Sequence, residues 1–399
     1  MNIGILTHCV ARNYGANLQA LSTAMYLKRK GYKPIFLKWN AYINEIQCSD
    51  QSVLHENFLE KYGFIVTNTC HSNEDFIREI ERYKIKNIIV GSDCVLTMEG
   101  KSFFPYTIRN GKIVKKEKLK DYEFPNPFWL EYIKDRKDIG KFFLSASSGT
   151  SNIKNIPLKT RDQMRDLLDR FDFVSVRDLY TKKLIKEKIG VDKSVVLSPD
   201  PVFGFNDKDD IFPTEENIRR KYSLPDKYVV VSFYEKNLPN KKWFNNLRDE
   251  LAKKDMEIVY LPMPQGGKPN QDIKTIGLPL DPMDWYSIIK FSNGYIGNNM
   301  HPIIVSIHNI VPFFSIDIHG KNYIHGKLQI TKNSKETQLL TQLGLLRYHT
   351  SQMLYKYYPI SKMVKNILNF DYSKCSQASN ILKEKFNDTI NIIIDNFKP

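Results

Sequence analysis

NIGILTHCVARNYGANLQALSTAMYLKRKGYKPIFLKW, at residues 2–39, has the pattern of a strand, a helix and a second strand. Two short apolar runs, at residues 2–7 and 33–39, flank a helical pattern over residues 17–30. Gly31 is predicted to end this helix. The helix is apolar around most of its circumference, which is typical of a helix packed closely on a sheet. The segment therefore predicts a parallel βαβ unit.

The same alternation continues along the rest of the chain. In the first half, apolar runs that each end in small or polar residues lie at 87–90, 141–146, 173–176 and 195–197. In the second half, apolar runs at 228–233, 257–261, 294–296 and 312–316 alternate with helical patterns at 241–254, 282–291 and 302–308. The predicted fold class is α/β, with two Rossmann-like, doubly wound domains facing a central cleft, which is a GT-B-like arrangement.

A polar stretch at residues 207–226 is predicted to link the two domains. The N-terminal Rossmann-like domain is accordingly predicted at 1–206 and the C-terminal one at 227–377. A basic, aromatic insertion at 97–126 interrupts the first domain, and insertions of this length are commonly either functional lids or disordered. The helix expected at 378–399 carries one apolar stripe and is predicted to dock on a domain surface.

Composition excludes several classes of protein. The 399 residues are 42% hydrophobic and 26% charged, which is typical of a globular protein and not of a disordered one. The 5 cysteines lie far apart with no C-x-x-C pair, so neither a zinc ribbon nor a disulfide framework is indicated. No signal peptide or membrane-spanning segment is expected, and the predicted location is cytoplasmic. The formal net charge of +15 favours anionic partners.

Polar residues at the ends of the predicted strands are candidate site residues, because open α/β sheets bind ligands at that edge. His301 follows Asn299 at the start of a helix and is the leading candidate, with a satisfied structural histidine as the alternative. Arg177 ends a strand of the first half. Its guanidinium could hold a carboxylate or phosphate, or it could form a structural ion pair with Asp200.

Two loops extend this set of candidates. Residues 8–17 join the first strand to the first helix, and their free amides could hold an anion. Alternatively, Asn13 caps the helix and Gly15 makes a tight turn. His319 and Lys321 follow the last predicted strand. They are interpreted either as a basic cluster at the site or as part of a solvated turn. No metal site is predicted, since the histidines and cysteines lack the usual ligand spacing.

An ordered set of motifs resembles the polysaccharide pyruvyltransferase family. The most specific is Asn-Tyr-Gly-Ala-Asn-Leu-Gln at residues 13–19, which is similar to the N-terminal signature of that family. Gly-Ser-Asp at 91–93 and Ser-Val-Arg-Asp at 175–178 are similar to further motifs, and His301 falls where the family has Phe-His-Gly. The resemblance implies a GT-B-like enzyme that transfers the enolpyruvyl group of phosphoenolpyruvate to sugar hydroxyls, forming a pyruvate ketal on polysaccharide units.

The resemblance also implies roles for individual residues. His301 is expected to transfer a proton or to stabilise the leaving phosphate. Arg177 is expected to hold the carboxylate or phosphate of the donor, and Asp93 to orient or deprotonate the sugar hydroxyl. The residues expected to bind substrate are Lys321, His319, Asn13, Tyr14, Gly15, Asn17, Ser147 and Asn299.

The partners implied are phosphoenolpyruvate as the donor, on the side of the C-terminal domain, and a sugar acceptor on the side of the N-terminal domain. A lipid-linked oligosaccharide is one such acceptor, and it would bring a peripheral contact with the inner face of the membrane. No metal or cofactor is required if cationic side chains hold the phosphate.

Two other functions stay open at this stage. A GT-B-type glycosyltransferase of cell-surface polysaccharide synthesis would share the fold and would bind a nucleotide sugar instead of phosphoenolpyruvate. A nucleic-acid-binding protein would bind DNA or RNA in a strongly salt-dependent manner. The second alternative is disfavoured, because the basic residues are dispersed and no recognised nucleic-acid-binding module is present.

Overall fold

The computed structural model describes residues 1–39, 50–98, 106–109, 112–115, 123–149, 151, 156–206, 208–267, 269, 272–317, 321–324, 327–330, 334–351 and 358–399. The chain divides into two compact units. The first unit comprises Met1–Ala11, Ala16–Phe205 and Lys383–Pro399. The second unit comprises Arg12–Gly15 and Asn206–Leu382.

A seven-stranded sheet forms the centre of the first unit, and a separate hairpin adds two strands. The strands of this half are β1 (Asn2–Leu6), β2 (Lys33–Phe36), β3 (Ile65–Val66), β4 (Asn87–Val90), β5 (Tyr106–Arg109), β6 (Lys112–Lys115), β7 (Gly140–Ala146), β8 (Phe173–Val176) and β9 (Val196–Leu197). The order in the sheet is β3-β2-β1-β4-β7-β8-β9, all parallel, and β5 pairs with β6. The central strands are apolar without alternation because parallel sheets are buried on both faces.

A six-stranded parallel sheet forms the centre of the second unit. The strands of this half are β10 (Tyr228–Ser232), β11 (Glu257–Tyr260), β12 (Lys274–Thr275), β13 (Gly294–Gly297), β14 (Phe313–Asp317), β15 (Lys321–Ile324), β16 (Lys327–Ile330) and β17 (His349–Ser351). The order in the sheet is β12-β11-β10-β13-β14-β17, and β15 and β16 form a separate hairpin. The two doubly wound α/β domains that the sequence predicts are therefore confirmed.

Helices connect the strands in both halves of the chain. They are α1 (Tyr14–Arg29), α2 (Asp50–Glu56), α3 (Phe58–Lys61), α4 (Asn73–Arg82), α5 (Leu158–Asp169), α6 (Leu179–Lys183), α7 (Glu215–Tyr222), α8 (Lys241–Ala252), α9 (Pro282–Lys290), α10 (Met300–His308), α11 (Lys335–Gln342), α12 (Ile360–Leu368) and α13 (Tyr372–Asp395). Shorter 3-10 and π segments lie at Pro127–Trp129, Glu131–Ile133, Leu184–Ile189, Pro201–Gly204, Glu235–Asn237 and Leu346–Tyr348. In the described parts of the chain, no helix combines the length and the apolar character needed to cross a bilayer.

The observed elements differ from the predicted ones mainly at their ends and edges. The stretch at 207–226 contains a regular helix, α7, and the final helix α13 begins at Tyr372 instead of at 378. The sequence analysis missed the edge strands β3, β12 and β17, which have two or three residues each. Such strands are too short to produce a recognisable hydrophobic period. Much of the insertion at 97–126 lies outside the described residues.

Candidate functional site

A buried charge cluster lies at the carboxyl end of the sheet in the first unit. Arg177 follows β8 directly, and only 7% of its side chain is exposed. Its Nη1 lies 2.9 Å from Oδ2 of Asp200, and its Nη2 lies 3.6 Å from Oδ1 of Asp93. The ion pair with Asp200, which the sequence left open as the structural alternative for Arg177, is present.

The surroundings of Arg177 favour its charged form. Burial lowers the pKa of the guanidinium, but the neighbouring groups, with Asp200 first and Asp93 next, raise it by more, so the net shift is upward. Gln19 of α1 donates a hydrogen bond from Nε2 to Oδ2 of Asp200 and so completes the cluster. Nε of Arg177 is buried and makes no hydrogen bond to any residue that the structure describes. One donor of the guanidinium is therefore left for a further group.

Asp93 has an unusual backbone conformation. It follows β4 with a φ of 72°, in the left-handed region that non-glycine residues rarely adopt. A bridge to Ala146 at the end of β7 holds it there. Ser145, also in β7, has a φ of 50°. Strained residues of this kind are retained where the surrounding structure determines them, and they cluster at functional sites.

Ser147 and Asn17 are buried, and the polar groups of both are used within the first unit. Oγ of Ser147 donates to Oδ2 of Asp178 at 2.8 Å, and Asp178 in turn caps α6. Nδ2 of Asn17 donates to the carbonyl oxygen of Cys9 at 3.0 Å and closes the loop after β1. In this geometry both side chains hold loops in place, and contact with substrate stays a prediction for both.

His55 of α2 is part of this arrangement, and the sequence analysis missed it. Its Nδ1 donates to Oδ1 of Asn17, and its Nε2 lies 3.0 Å from Nε2 of Gln51. Because an amide nitrogen can only donate, Nε2 of His55 is the acceptor in this arrangement. No motif in the sequence around His55 signals this contact.

A second group of candidates lies in the second unit, around His301. This histidine lies in the first turn of α10, immediately after β13. The helix starts at Met300, two positions before the predicted 302, because Asn299 caps it and accepts a hydrogen bond from the amide of His301 at 3.3 Å. Nδ2 of Asn299 lies 3.2 Å from Sδ of Met263, in the loop after β11. Asn299 is thus held at both ends of its amide group.

The backbone of Gly15 lies directly against the imidazole ring of His301. A Cβ at position 15 would be 2.1 Å from Cγ of His301, 2.2 Å from Cδ2 and 2.3 Å from Nδ1. Glycine is therefore required here by close approach and not by a special φ. Gly15 and His301 both belong to the second unit, so the structure brings these two predicted site residues together within one domain.

Tyr14 and Arg12, in the loop at 8–17, contact other residues of the second unit. The ring of Tyr14 stacks on Trp285 of α9, with the ring centroids 5.1 Å apart and the planes inclined by 21°. Burial, with a contribution from Asp281, raises the pKa of the Tyr14 phenol. Nε2 of Gln265 donates to the carbonyl oxygen of Arg12 at 3.1 Å. The sequence analysis missed Trp285 and Gln265, since their partners lie far away in the chain.

Three further residues complete the predicted set. Asn13 is half-buried within the same loop. Lys321 is described only as the first residue of β15, and His319 lies outside the described residues, so the roles of both stay predictions. Within the described ranges, no cluster of three or more histidine, cysteine or acidic side chains is arranged to hold a metal ion.

Comparison with known proteins assigns the family. The sequence matches the family model described as polysaccharide pyruvyl transferase over residues 13–320, which is more than half of the chain. The chain belongs to this family. It is therefore a transferase, and the predicted family membership is confirmed. None of the curated proteins compared with the sequence matches it.

Several solved structures have a similar fold. The spinosyn forosaminyltransferase SpnP is 8% identical, with a TM-score of 0.52 and 99% of each chain covered. S. aureus MnaA, in a co-structure with UDP, is 11% identical, with a TM-score of 0.50 and 100% of this chain and 98% of the other covered. The glycosyltransferase SnogD from Streptomyces nogalater is 7% identical, with a TM-score of 0.50 and coverage of 98% and 99%. At such identities the likeness shows the fold alone, and it confirms the GT-B-like fold class of this pyruvyl transferase family member.

Gly15→Ala is expected to destabilise the second unit by about 1–3 kcal/mol, the usual cost of overpacking, because the new methyl group would overlap the ring of His301. Gly277→Ala is the matched control, since a Cβ at Gly277 would meet no atom within 4 Å. The free energy of unfolding in urea tests both variants. Equal stability of Gly15→Ala and Gly277→Ala would contradict the close approach of Gly15 to His301.

Proposed function

We propose that this family member transfers the enolpyruvyl group of phosphoenolpyruvate to two hydroxyls of a sugar and releases phosphate. The observation that carries the proposal is the grouping of His301, Asn299 and the backbone of Gly15 at the N-terminal end of α10. The free amides and the dipole of a helix N-terminus attract anions, and phosphoenolpyruvate is a small, highly charged anion. An imidazole at that point can reach the donor and move a proton.

The chemistry balances without an oxidant or a reductant. A proton is added to the methylene carbon of phosphoenolpyruvate, and the oxygen of the first sugar hydroxyl bonds to the neighbouring carbon. The bond from that carbon to the phosphate oxygen then breaks, and the second hydroxyl bonds to the same carbon to close the ketal. Of the two protons released by the hydroxyls, one balances the new methyl group and one leaves with the phosphate.

In this proposal the residues of the second unit handle the donor. His301 delivers the proton to the methylene carbon, or stabilises the phosphate as it leaves. Asn299 orients the first turn of α10, which it caps. The backbone of Gly15 limits the positions open to the imidazole ring, because it lies directly against that ring. Lys321 remains a proposed phosphate ligand.

In the charge cluster of the first unit, Asp93 is proposed to act on the acceptor and Arg177 to hold an anionic group of the donor. Asp93, held by Arg177 and by its bridge to Ala146, is suited to accept a hydrogen bond from a sugar hydroxyl and to draw off its proton. Nη1 and Nη2 of Arg177 pair with Asp200 and Asp93, and Nε is one donor of the guanidinium that is still available for the carboxylate or phosphate of the donor substrate. The acceptor is proposed to be a sugar unit of a polysaccharide or of its lipid-linked precursor.

Phosphoenolpyruvate is expected to raise the thermal stability of the purified protein. A ligand present at about 100 times its Kd contributes roughly 2.7 kcal/mol, which produces a measurable shift of Tm. Pyruvate with inorganic phosphate is the matched control, because it supplies the same groups without the enol ester. A shift with a nucleotide sugar and none with phosphoenolpyruvate would favour the glycosyltransferase alternative, whereas a shift with neither would contradict donor binding by the free enzyme.

A further inference from the structure

A basic depression lies on the outer face of α12 in the second unit. It has a volume of about 460 Å³ and is open to solvent. It is lined by Arg347, Ser361, Lys362, Lys365, Asn366 and Asn369. Three of these side chains are cationic, and Ser361 and Asn369 can donate hydrogen bonds to an anion, whereas Nδ2 of Asn366 donates to the hydroxyl of Tyr358 at 2.9 Å. The lining therefore has the composition of a site for a phosphate group.

The amphipathic character of α12 keeps these groups at the surface. Met363, Val364 and Ile367 are buried in the hydrophobic core of the second unit, which turns the lining residues outward. The core side of the helix is apolar, so the lysines of the outer face cannot turn inward without losing solvation.

The cations of the depression form no ion pair with a carboxylate among the described residues. The guanidinium of Arg347 lies 5.2 Å from the ring centroid of Tyr348, and Nζ of Lys362 lies 5.5 Å from that of Tyr358. The nearest carboxylate along the chain, that of Asp371, accepts a hydrogen bond from the amide of Lys374 at 2.9 Å. The positive charge of the depression is therefore available to an external anion.

Exposed apolar side chains lie close in the sequence to residues that line this basic depression. Leu346 is 43% exposed and precedes Arg347, and Leu368 is 43% exposed and precedes Asn369. Tyr372 is 55% exposed and contacts Phe370, with the ring centroids 5.5 Å apart. Single exposed apolar residues are common on protein surfaces. Their combination with a basic depression is typical of proteins that rest on a membrane, where apolar groups enter the interface and cations contact lipid phosphates.

We propose that the α12 surface, defined as the basic depression with Leu346, Leu368 and Tyr372, binds anionic phospholipid headgroups at a membrane. The phosphate of one lipid sits between Arg347, Lys362 and Lys365, and the two leucines insert beside it. A lipid-linked acceptor would bring a peripheral membrane contact, and the proposed α12 surface gives that contact a location and a chemistry. This proposal does not depend on the donor chemistry proposed above.

Cosedimentation with lipid vesicles tests the proposal on the full chain. The protein is expected to bind vesicles of phosphatidylcholine and phosphatidylglycerol in equal parts, and to bind pure phosphatidylcholine weakly. Added salt should weaken the binding, because the attraction is screened within a Debye length. Equal binding to both kinds of vesicle, or no binding to either, would overturn the proposal. Calorimetric binding of inorganic phosphate without vesicle binding would assign the depression to a soluble anion and would also overturn it.

Paired variants locate the contact on the α12 surface. The double variant Lys362→Gln with Lys365→Gln should weaken binding to the anionic vesicles about thirtyfold. Each cation near the membrane surface contributes about fivefold, and the two contributions multiply. Leu346→Ser with Leu368→Ser should weaken it about tenfold or more through lost apolar burial. Lys159→Gln with Lys188→Gln changes the net charge equally at two exposed positions elsewhere and serves as the control. An equal loss of binding in this control would show that net charge, and not the α12 surface, holds the protein to the membrane.

Discussion

His301→Ala is expected to lower kcat by about a hundredfold or more, which is the scale of a lost general acid or base. The imidazole lies in the N-terminal turn of α10, against the backbone of Gly15. The rate is measured as phosphate release from phosphoenolpyruvate in the presence of a sugar acceptor. If His301 transfers the proton, the variant should also lose one limb of the pH–rate profile of kcat.

His71→Ala is the matched control for this experiment. His71 is exposed, and its backbone amide makes the hydrogen bond to Asp75, so removing its side chain should leave kcat unchanged. Circular dichroism establishes that both variants are folded. Turnover of His301→Ala close to that of the parent protein would remove His301 from the mechanism, whatever the family to which the chain belongs.

Arg177→Met is expected to lower the free energy of unfolding by about 3–5 kcal/mol, the cost of removing one partner of a buried ion pair. Asp200 and Asp93 are both buried, and without the guanidinium two carboxylates would face each other in a poorly solvated site. Arg177→Lys should lose less stability, because it keeps a charge but cannot reach both carboxylates with a rigid fork. Urea denaturation followed by circular dichroism measures these differences.

Two further variants distinguish the effect of leaving buried carboxylates unpaired from the effect of losing one positive charge. Arg136→Met removes an arginine whose pair with Asp138 is largely exposed, so its effect on stability should be small. Arg177→Met combined with Asp200→Asn should recover part of the lost stability, since one uncompensated charge is removed. A loss no larger than that of Arg136→Met would contradict the buried charge cluster.

Local sequence patterns were sufficient to predict the framework of both domains. The run at residues 2–7 and the helix beginning near residue 17 correspond to β1 and α1, although α1 starts earlier, at Tyr14. The strand before Arg177 was also placed correctly, so the position of that residue at the edge of a sheet could be predicted. Buried parallel strands and the helices between them leave strong apolar periods in the sequence, and these periods depend only on neighbouring residues.

The sequence names candidate site residues, but most of their contacts depend on the tertiary structure. Arg177 was predicted with either a substrate anion or Asp200, and the structure shows that it pairs with Asp200 and also with Asp93. Asn17 and Ser147 were predicted to bind substrate, and their polar groups are used in holding loops. A motif records which residue types are present at a loop, whereas burial and hydrogen-bond geometry depend on what packs around that loop.

The sequence by itself thus determines the fold class, the order of the strands along the chain and the types of group at the strand ends. Each of these can be predicted from local periodicity and from motifs. The contact of Gly15 with His301, and the attachment of Tyr14 to Trp285, depend on packing between segments far apart in the chain. Such contacts leave no local period. They exist only when the backbone of each segment has already been placed by the burial of its own apolar face.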